Sequence, residues 1–429
     1  MIRVHRVPLF VQMRTVFLIL VVIATASCKS HESVSGRNIS SLYRADLENV
    51  LDVQYVLSHK KDGPSELTYR IAPNSLFIAQ DDSYRDIVSF SIRYRIYQNY
   101  SASEPIDSGY VVMKEVDFLP NHTVEGSIEI IVPSGRNHVV DVFLKDLGSI
   151  KSNRQYVDVF NGQNFTRQSI EVRASNGEIV FSDYIKQADS VFIQAEQSVN
   201  RLFVSFYDRD FPIAAPPFSA VSQRPFKFSP DKQTRLLPNA HGVFKLNVIQ
   251  PGIYQVNRDS LSNSGGALYY FGANFPNART VNDLLLPLRY ITTSQEYEKI
   301  SQGDNIKKNI DTYWLGVGGS PERAKDLLQE YYGRVEAANR LFSSYMEGWK
   351  TDRGMCYIVF GPPTSVYRSS ASESWVYGEE GRYSGLNLTF TRVVNPFSNN
   401  DFRLNRNGTL KSPWYRSVEF WRQGRIITY

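Results

Sequence analysis

A chain of 429 residues is longer than one hydrophobic core serves and divides into two to four domains. Its 48 Lys and Arg against 43 Asp and Glu leave too little charge for a nucleic-acid partner. With only Cys28 and Cys356 there is no disulfide framework, so each domain must be held by its own core.

Residues 1–27 read as a signal peptide: Arg3, Arg6 and Arg14, then the apolar run 16–23, then Ala24, Thr25, Ala26 and Ser27 before Cys28. The run is too short to span a bilayer, which takes roughly 20 apolar residues. Small side chains directly before a cysteine are what lipoprotein maturation needs, so acylation of Cys28 is expected. Ala24 and Ala26 also form an A-x-A site for ordinary secretion, and both Met1 and Met13 stand as starts. Residues 28–47 are expected to be the acylated cysteine and a polar tether. The expected address is the outer membrane, lipid-anchored, on its periplasmic face.

The next region, 48–162, is expected to be a first β-sandwich, with strands at 53–56, 67–71, 87–97, 109–116, 124–132, 138–145 and 155–159. These stretches are rich in Val, Ile, Tyr and Phe, often alternate polar with apolar, and are separated by Gly, Pro and Asn turns. A second sandwich at 163–292 repeats the style with strands at 169–173, 178–181, 190–195, 201–206, 242–249 and 267–271, interrupted by the Pro-rich passage 211–225. Both suit an immunoglobulin-like arrangement.

The last third, 293–429, changes character. Helices are expected at 294–300 and 305–314. Ser320 and Pro321 then start a third, in which Ala324, Leu327, Leu328, Tyr331, Val335, Ala338, Phe342 and Tyr345 form one apolar stripe. Strands are expected at 355–360, 374–377, 387–392, 417–421 and 424–428. The fold class is therefore mainly β with a C-terminal α+β module: two immunoglobulin-like β-sandwich domains followed by a helix-plus-sheet domain.

All five tryptophans, Trp314, Trp349, Trp375, Trp414 and Trp421, fall in that module. Within it runs Gly348-Trp349-Lys350-Thr351-Asp352-Arg353-Gly354, continuing through Met355 and Cys356 to Gly361-Pro362-Pro363. With residues 332–342 upstream and Trp375-Val376-Tyr377-Gly378 downstream, this resembles the GWxTD domain found in lipoproteins and secreted proteins of Bacteroidetes and their relatives. The resemblance covers about a third of the chain. It implies an address and an architecture, with β-rich regions preceding the domain, and brings no established reaction.

Two readings of the motif stand side by side. In the structural one, Gly348 and Gly354 bracket a helix-to-strand turn at positive φ, Thr351 and Asp352 bond nearby backbone, Trp349 packs on the long helix, and Arg334 or Arg353 pairs Asp352. In the binding one, Asp352, Arg353, Arg334 and Tyr357, walled by Trp349 and Trp375, form a cleft for an anionic or sugar ligand. Cys356, in an apolar run, reads as a buried inert thiol. No zinc, calcium, P-loop or nucleophile-elbow motif occurs, so no cofactor, metal or catalytic residue is assigned. The expected role is a non-enzymatic scaffold or accessory subunit with envelope protein partners and a membrane contact through lipid. The alternative is a glycan-binding or glycan-processing protein using the Trp-rich module.

Overall fold

Alternation such as Ser89-Phe90-Ser91-Ile92 sends every second side chain to one face, and the chain from Val53 to Asn161 uses it to build two facing antiparallel sheets. The computed structural model describes residues 33–44, 49–59, 63–116, 118–119, 122–162, 164–196, 198–220, 228–262, 264–378 and 385–426. The expected signal peptide and Cys28 lie outside them. The strands are β1 (Val53–Ser58), β2 (Ser65–Ile71), β3 (Ala79–Gln80), β4 (Asp86–Tyr97), β5 (Asp107–Val116), β6 (Val124–Ile130), β7 (Arg136–Asp146) and β8 (Ser152–Asn161). One sheet has the order β1-β2-β6. The other runs β3-β4-β7-β8, with β5 also paired to β4. Between them Leu67, Tyr69 and Ile128 meet Phe90, Ile92, Val142 and Leu144 in one core.

The second region holds β9 (Ile170–Arg173), β10 (Asp189–Ala195), β11 (Leu202–Tyr207), β12 (Lys232–Leu236), β13 (Val243–Val248), β14 (Gly252–Asn257) and β15 (Gly266–Tyr270). Their sheets, β9-β10-β13 and β12-β11-β14-β15, repeat the wiring of the first pair strand for strand, apart from the short β3. In both, the chain crosses between sheets where an immunoglobulin-like sandwich does. Residues 178–181 were expected as a strand but give only an isolated bridge between Ile179 and Arg173. Two strands of this region went unpredicted: β12 is polar and solvent-facing, and β14 carries Gln255 and Asn257 inward.

The C-terminal part has helices α1 (Val281–Leu285), α2 (Ser294–Ser301), α3 (Ile306–Gly318), α4 (Pro321–Phe342), α5 (Asp352–Phe360) and α6 (Lys411–Arg422). It also has the antiparallel sheet β16 (Ser365–Arg368), β17 (Ser372–Tyr377), β18 (Leu386–Arg392) and β19 (Phe402–Leu404). Ser320 caps α4 by accepting from Arg323 N, as its sequence announces. Three expectations are corrected. The strand expected at 355–360 is helix α5, whose nine residues are all buried. An apolar run buried on every side has no periodicity to distinguish helix from strand. The strand expected at 417–421 lies in α6, where Trp414, Ser417 and Trp421 recur at helical spacing as the buried face. Beyond it the chain turns at Gly424, and no strand runs through the described part of 424–428.

The polar segment expected as a tether is instead seated where it is described. Val34, Ile39 and Tyr43 are buried in the C-terminal core. Ile39 N donates to Val366 O at 2.9 Å, and Asn38 Oδ1 accepts from Val366 N at 3.0 Å. Val34 and Ser35 donate to Ala102 O and Tyr100 O of the first sandwich. A polar composition is compatible with either role, and three well-spaced apolar residues suffice for docking.

Candidate functional site

The motif begins where α4 ends. Residues Gly348–Lys350 form a single 3-10 turn that packs against α4, and its backbone is fixed from several sides. Trp349 N donates to Asn339 Oδ1 at 3.1 Å, Gly348 N to Ser343 Oγ at 3.0 Å, and Tyr290 Oη to Trp349 O at 3.0 Å. Thr351 then caps α5, accepting from Gly354 N at 3.0 Å while its hydroxyl donates to Gly348 O at 2.7 Å. The two glycines are required by close approach, not by positive φ as expected. A Cβ on Gly348 would lie 1.9 Å from the Ala338 carbonyl oxygen, and one on Gly354 would lie 1.9 Å from that of Gly348.

Asp352 occupies the first turn of α5, where a carboxylate is favoured by the helix dipole. It accepts from Leu404 N at 2.9 Å and takes Arg406 bidentately, at 2.8 and 2.5 Å. Its expected partners, Arg334 and Arg353, are engaged elsewhere. Arg334 donates to Glu330 Oε1 at 2.6 Å and to Ile358 O at 3.3 Å, and its guanidinium lies over the Trp421 ring. Arg353, 1% exposed, sits between the rings of Phe342 and Phe402. It donates to Asn400 O at 2.9 Å and faces Glu373 at 3.4 Å.

Glu373 is the residue that sequence reasoning missed. Fully buried on β17, it accepts from Arg368 Nε at 2.8 Å, Trp375 Nε1 at 2.7 Å and Tyr43 Oη at 3.0 Å. Burial alone would raise its carboxyl, but Arg368 and Arg353, with the Trp375 and Arg368 hydrogen bonds, hold it at about 2 against an ordinary 4.5. Burial pushes the Tyr43 phenol up to about 12, so the hydroxyl stays a donor at neutral pH. Its signal was present in the sequence: Glu373, Trp375 and Tyr377 share one face by the period of two, which puts a charge among inward rings.

The remaining sequence-predicted residues fall in the same core. Tyr357 donates to Tyr43 O at 2.8 Å. Trp375 packs against Tyr43, Phe342 and Phe390, while Trp349 meets Tyr290 edge-on. Each of the five tryptophans is 7% exposed or less, so none presents an open ring face. Cys356 is buried, and burial with nearby Asp352 pushes its thiol well up, which suits an inert side chain. The arrangement brings Asp352, Arg353, Arg334 and Tyr357 together as interior side chains, each with protein partners, and not as the lining of a cleft. Among the described residues no group of three potential metal ligands occurs, and no helix is long and apolar enough to cross a membrane.

Lys350 of the motif, with Arg406 and Arg392 farther along the chain, ties the C-terminal part to the rest. Lys350 pairs with Asp210 at 3.1 Å and accepts from Ala214 N at its carbonyl. Arg406 donates to Ala215 O at 3.1 Å, and Arg392 pairs with Asp158 of the first sandwich at 2.7 Å.

Comparison with known proteins bears on this region. Residues 252–423 match the family model described as the GWxTD domain, so the chain carries that domain. The match starts within β14 and therefore takes in the last two strands of the second sandwich. No curated protein matches the chain. Among solved structures, one titled "Biofilm associated protein - BSP domain" is similar at 8% identity with a TM-score of 0.18, over 56% of this chain and 55% of that one. The chain thus spans about half of that structure's length, and a likeness at this score carries no argument about fold or role.

Proposed function

We propose that this chain is an envelope lipoprotein of the Bacteroidetes type, held on the periplasmic side of the outer membrane by acyl chains on Cys28, where it serves as a non-enzymatic scaffold or accessory subunit of a membrane assembly. One observation carries the reading: Asp352 and Arg353 of the GWxTD motif are buried and bonded within the protein, Asp352 to Arg406 and Arg353 to Asn400 and to Glu373, which in turn holds Tyr43 of the N-terminal segment. Such a centre supports a rigid body that others dock on, with its sheet edges and loops as the available surface. Several acyl chains would hold it stably, whereas one would be marginal. Because Val34 is fixed to Ala102, the chain between Cys28 and Ser33 reaches at most roughly 18 Å when extended. The body would therefore lie close to the lipid surface.

The experiment compares the tagged wild-type chain with Cys28→Ser in detergent-solubilised envelopes. The expected result is an acylated N-terminal mass, membrane sedimentation that Cys28→Ser abolishes, and co-purification of wild type with outer-membrane proteins. An unmodified N-terminus, a Cys28→Ser form that still sediments, or wild type recovered alone from every detergent would overturn the reading.

A further inference from the structure

A cavity of about 620 Å³ opens where the first sandwich, the second sandwich and the C-terminal sheet meet. Its volume is within the range of small-ligand sites, which favour junctions between domains. The first sandwich contributes its loop end: the residues after β4, the start of β7 and the residues after β8.

The charged groups of the wall are matched pairwise. Arg392 is held by Asp158, which also accepts from Tyr100 Oη at 2.8 Å. Arg167 donates to Ile170 O and Val180 O and lies 3.6 Å from Asp183. Arg368 is engaged by Glu373 behind it. Each cation thus has an acid beside it, so an anion entering the cavity would meet Asp158 and Asp183 as well as the guanidinium groups. A ligand that gives and accepts hydrogen bonds without net charge meets no such conflict.

The wall also offers uncommitted amides. Gln98, Asn137, Asn164 and Asn399 line the cavity, and none has a side-chain hydrogen bond among the described residues. Each presents both a donor and an acceptor. Beside them Val394 is 94% exposed, an apolar contact suited to the C–H face of a ring. Edge strands β8, β15 and β19 contribute Asp158, Phe160, Ala267 and Phe402 to the wall, so a peptide is the competing ligand that the test includes.

We propose that this junction cavity binds a neutral oligosaccharide, recognised through amides and fixed Arg–Asp pairs and not through the buried tryptophans. The test is calorimetric titration of the full chain with neutral trisaccharides of glucose, mannose and N-acetylglucosamine, alongside inorganic phosphate and a capped tripeptide. At least one trisaccharide is expected to bind, and to bind about tenfold more weakly in the double variant Asn137→Ala, Asn399→Ala. Those side chains are solvent-facing, so the variant should melt as wild type does. Val394→Arg, which places bulk and charge beside the amides, should weaken the same trisaccharide. The proposal is overturned if no trisaccharide binds at about 10 mM, if phosphate or the tripeptide binds more tightly, or if both variants bind like wild type.

Discussion

The Tyr43 hydroxyl donates to Glu373 Oε1 at 3.0 Å across 330 positions of sequence, closing a buried network that Arg353 and Arg368 complete. The network joins the segment nearest the proposed lipid site to the centre of the C-terminal domain. A buried carboxylate is tolerated only with such company, and removing one member leaves the others uncompensated. Glu373→Ala is therefore expected to cost roughly 3–5 kcal/mol, read as a lower urea midpoint for the transition followed by tryptophan fluorescence. An unchanged midpoint would show the network to be dispensable.

The same carboxylate sets an acid limit. Its folded pKa of about 2 lies below the ordinary 4.5, so the folded state binds its proton less readily than the unfolded one. Stabilisation is then fully present above about pH 4.5 and is lost as pH falls toward 2. Thermal melts between those limits should fall more steeply for wild type than for Glu373→Gln, which has no charge to lose. Parallel curves would assign the acid sensitivity to other groups.

Deleting residues 33–44 tests whether the docked segment is structural. Its loss uncovers Trp375, which Tyr43 packs against at 5.6 Å between centroids, and leaves Glu373 and Arg368 without the Tyr43 hydroxyl. Fluorescence emission should shift to the red and the C-terminal transition to lower temperature, while Tyr43→Phe alone should give a smaller drop, on the order of 1 kcal/mol. A deletion that melts and fluoresces as wild type does would return the segment to the role of a free tether.

How far these features could be read in advance depends on what each leaves in the sequence. The first sandwich was legible because half-buried strands such as β4 alternate, and α4 was legible because its stripe recurs at three and four with Ser320 and Pro321 at its start. Helix α5 was not, since nine residues buried on all sides carry no period. The motif's ion pairs were misread for a related reason. Asp352 and Arg353 are consecutive on a helix, and consecutive helical side chains do not face one another. One reaches Arg406 and the other Glu373. Partners contributed by Tyr43, Arg368 and Arg406 are set by the tertiary fold and leave no local trace, although Glu373 on the inward face of β17 was a visible anomaly.

Two glycines of one domain should respond oppositely to the same substitution. Gly333 lies exposed within α4, and a Cβ there would meet nothing within 4 Å. Because glycine inside a helix is disfavoured by about 1 kcal/mol relative to alanine, Gly333→Ala should stabilise by roughly that amount. Gly354 is also helical and would gain the same propensity, but its new Cβ would stand 1.9 Å from the Gly348 carbonyl oxygen. That clash is with backbone, which Thr351 and Asn339 hold in place, so the turn must move and overpacking of about 1–3 kcal/mol or more outweighs the gain. Melting temperatures of the two variants should fall on opposite sides of wild type. If Gly354→Ala proves neutral, the contact between the motif's turn and its helix is looser than the geometry requires, and the rigid centre on which the scaffold reading rests loses its support.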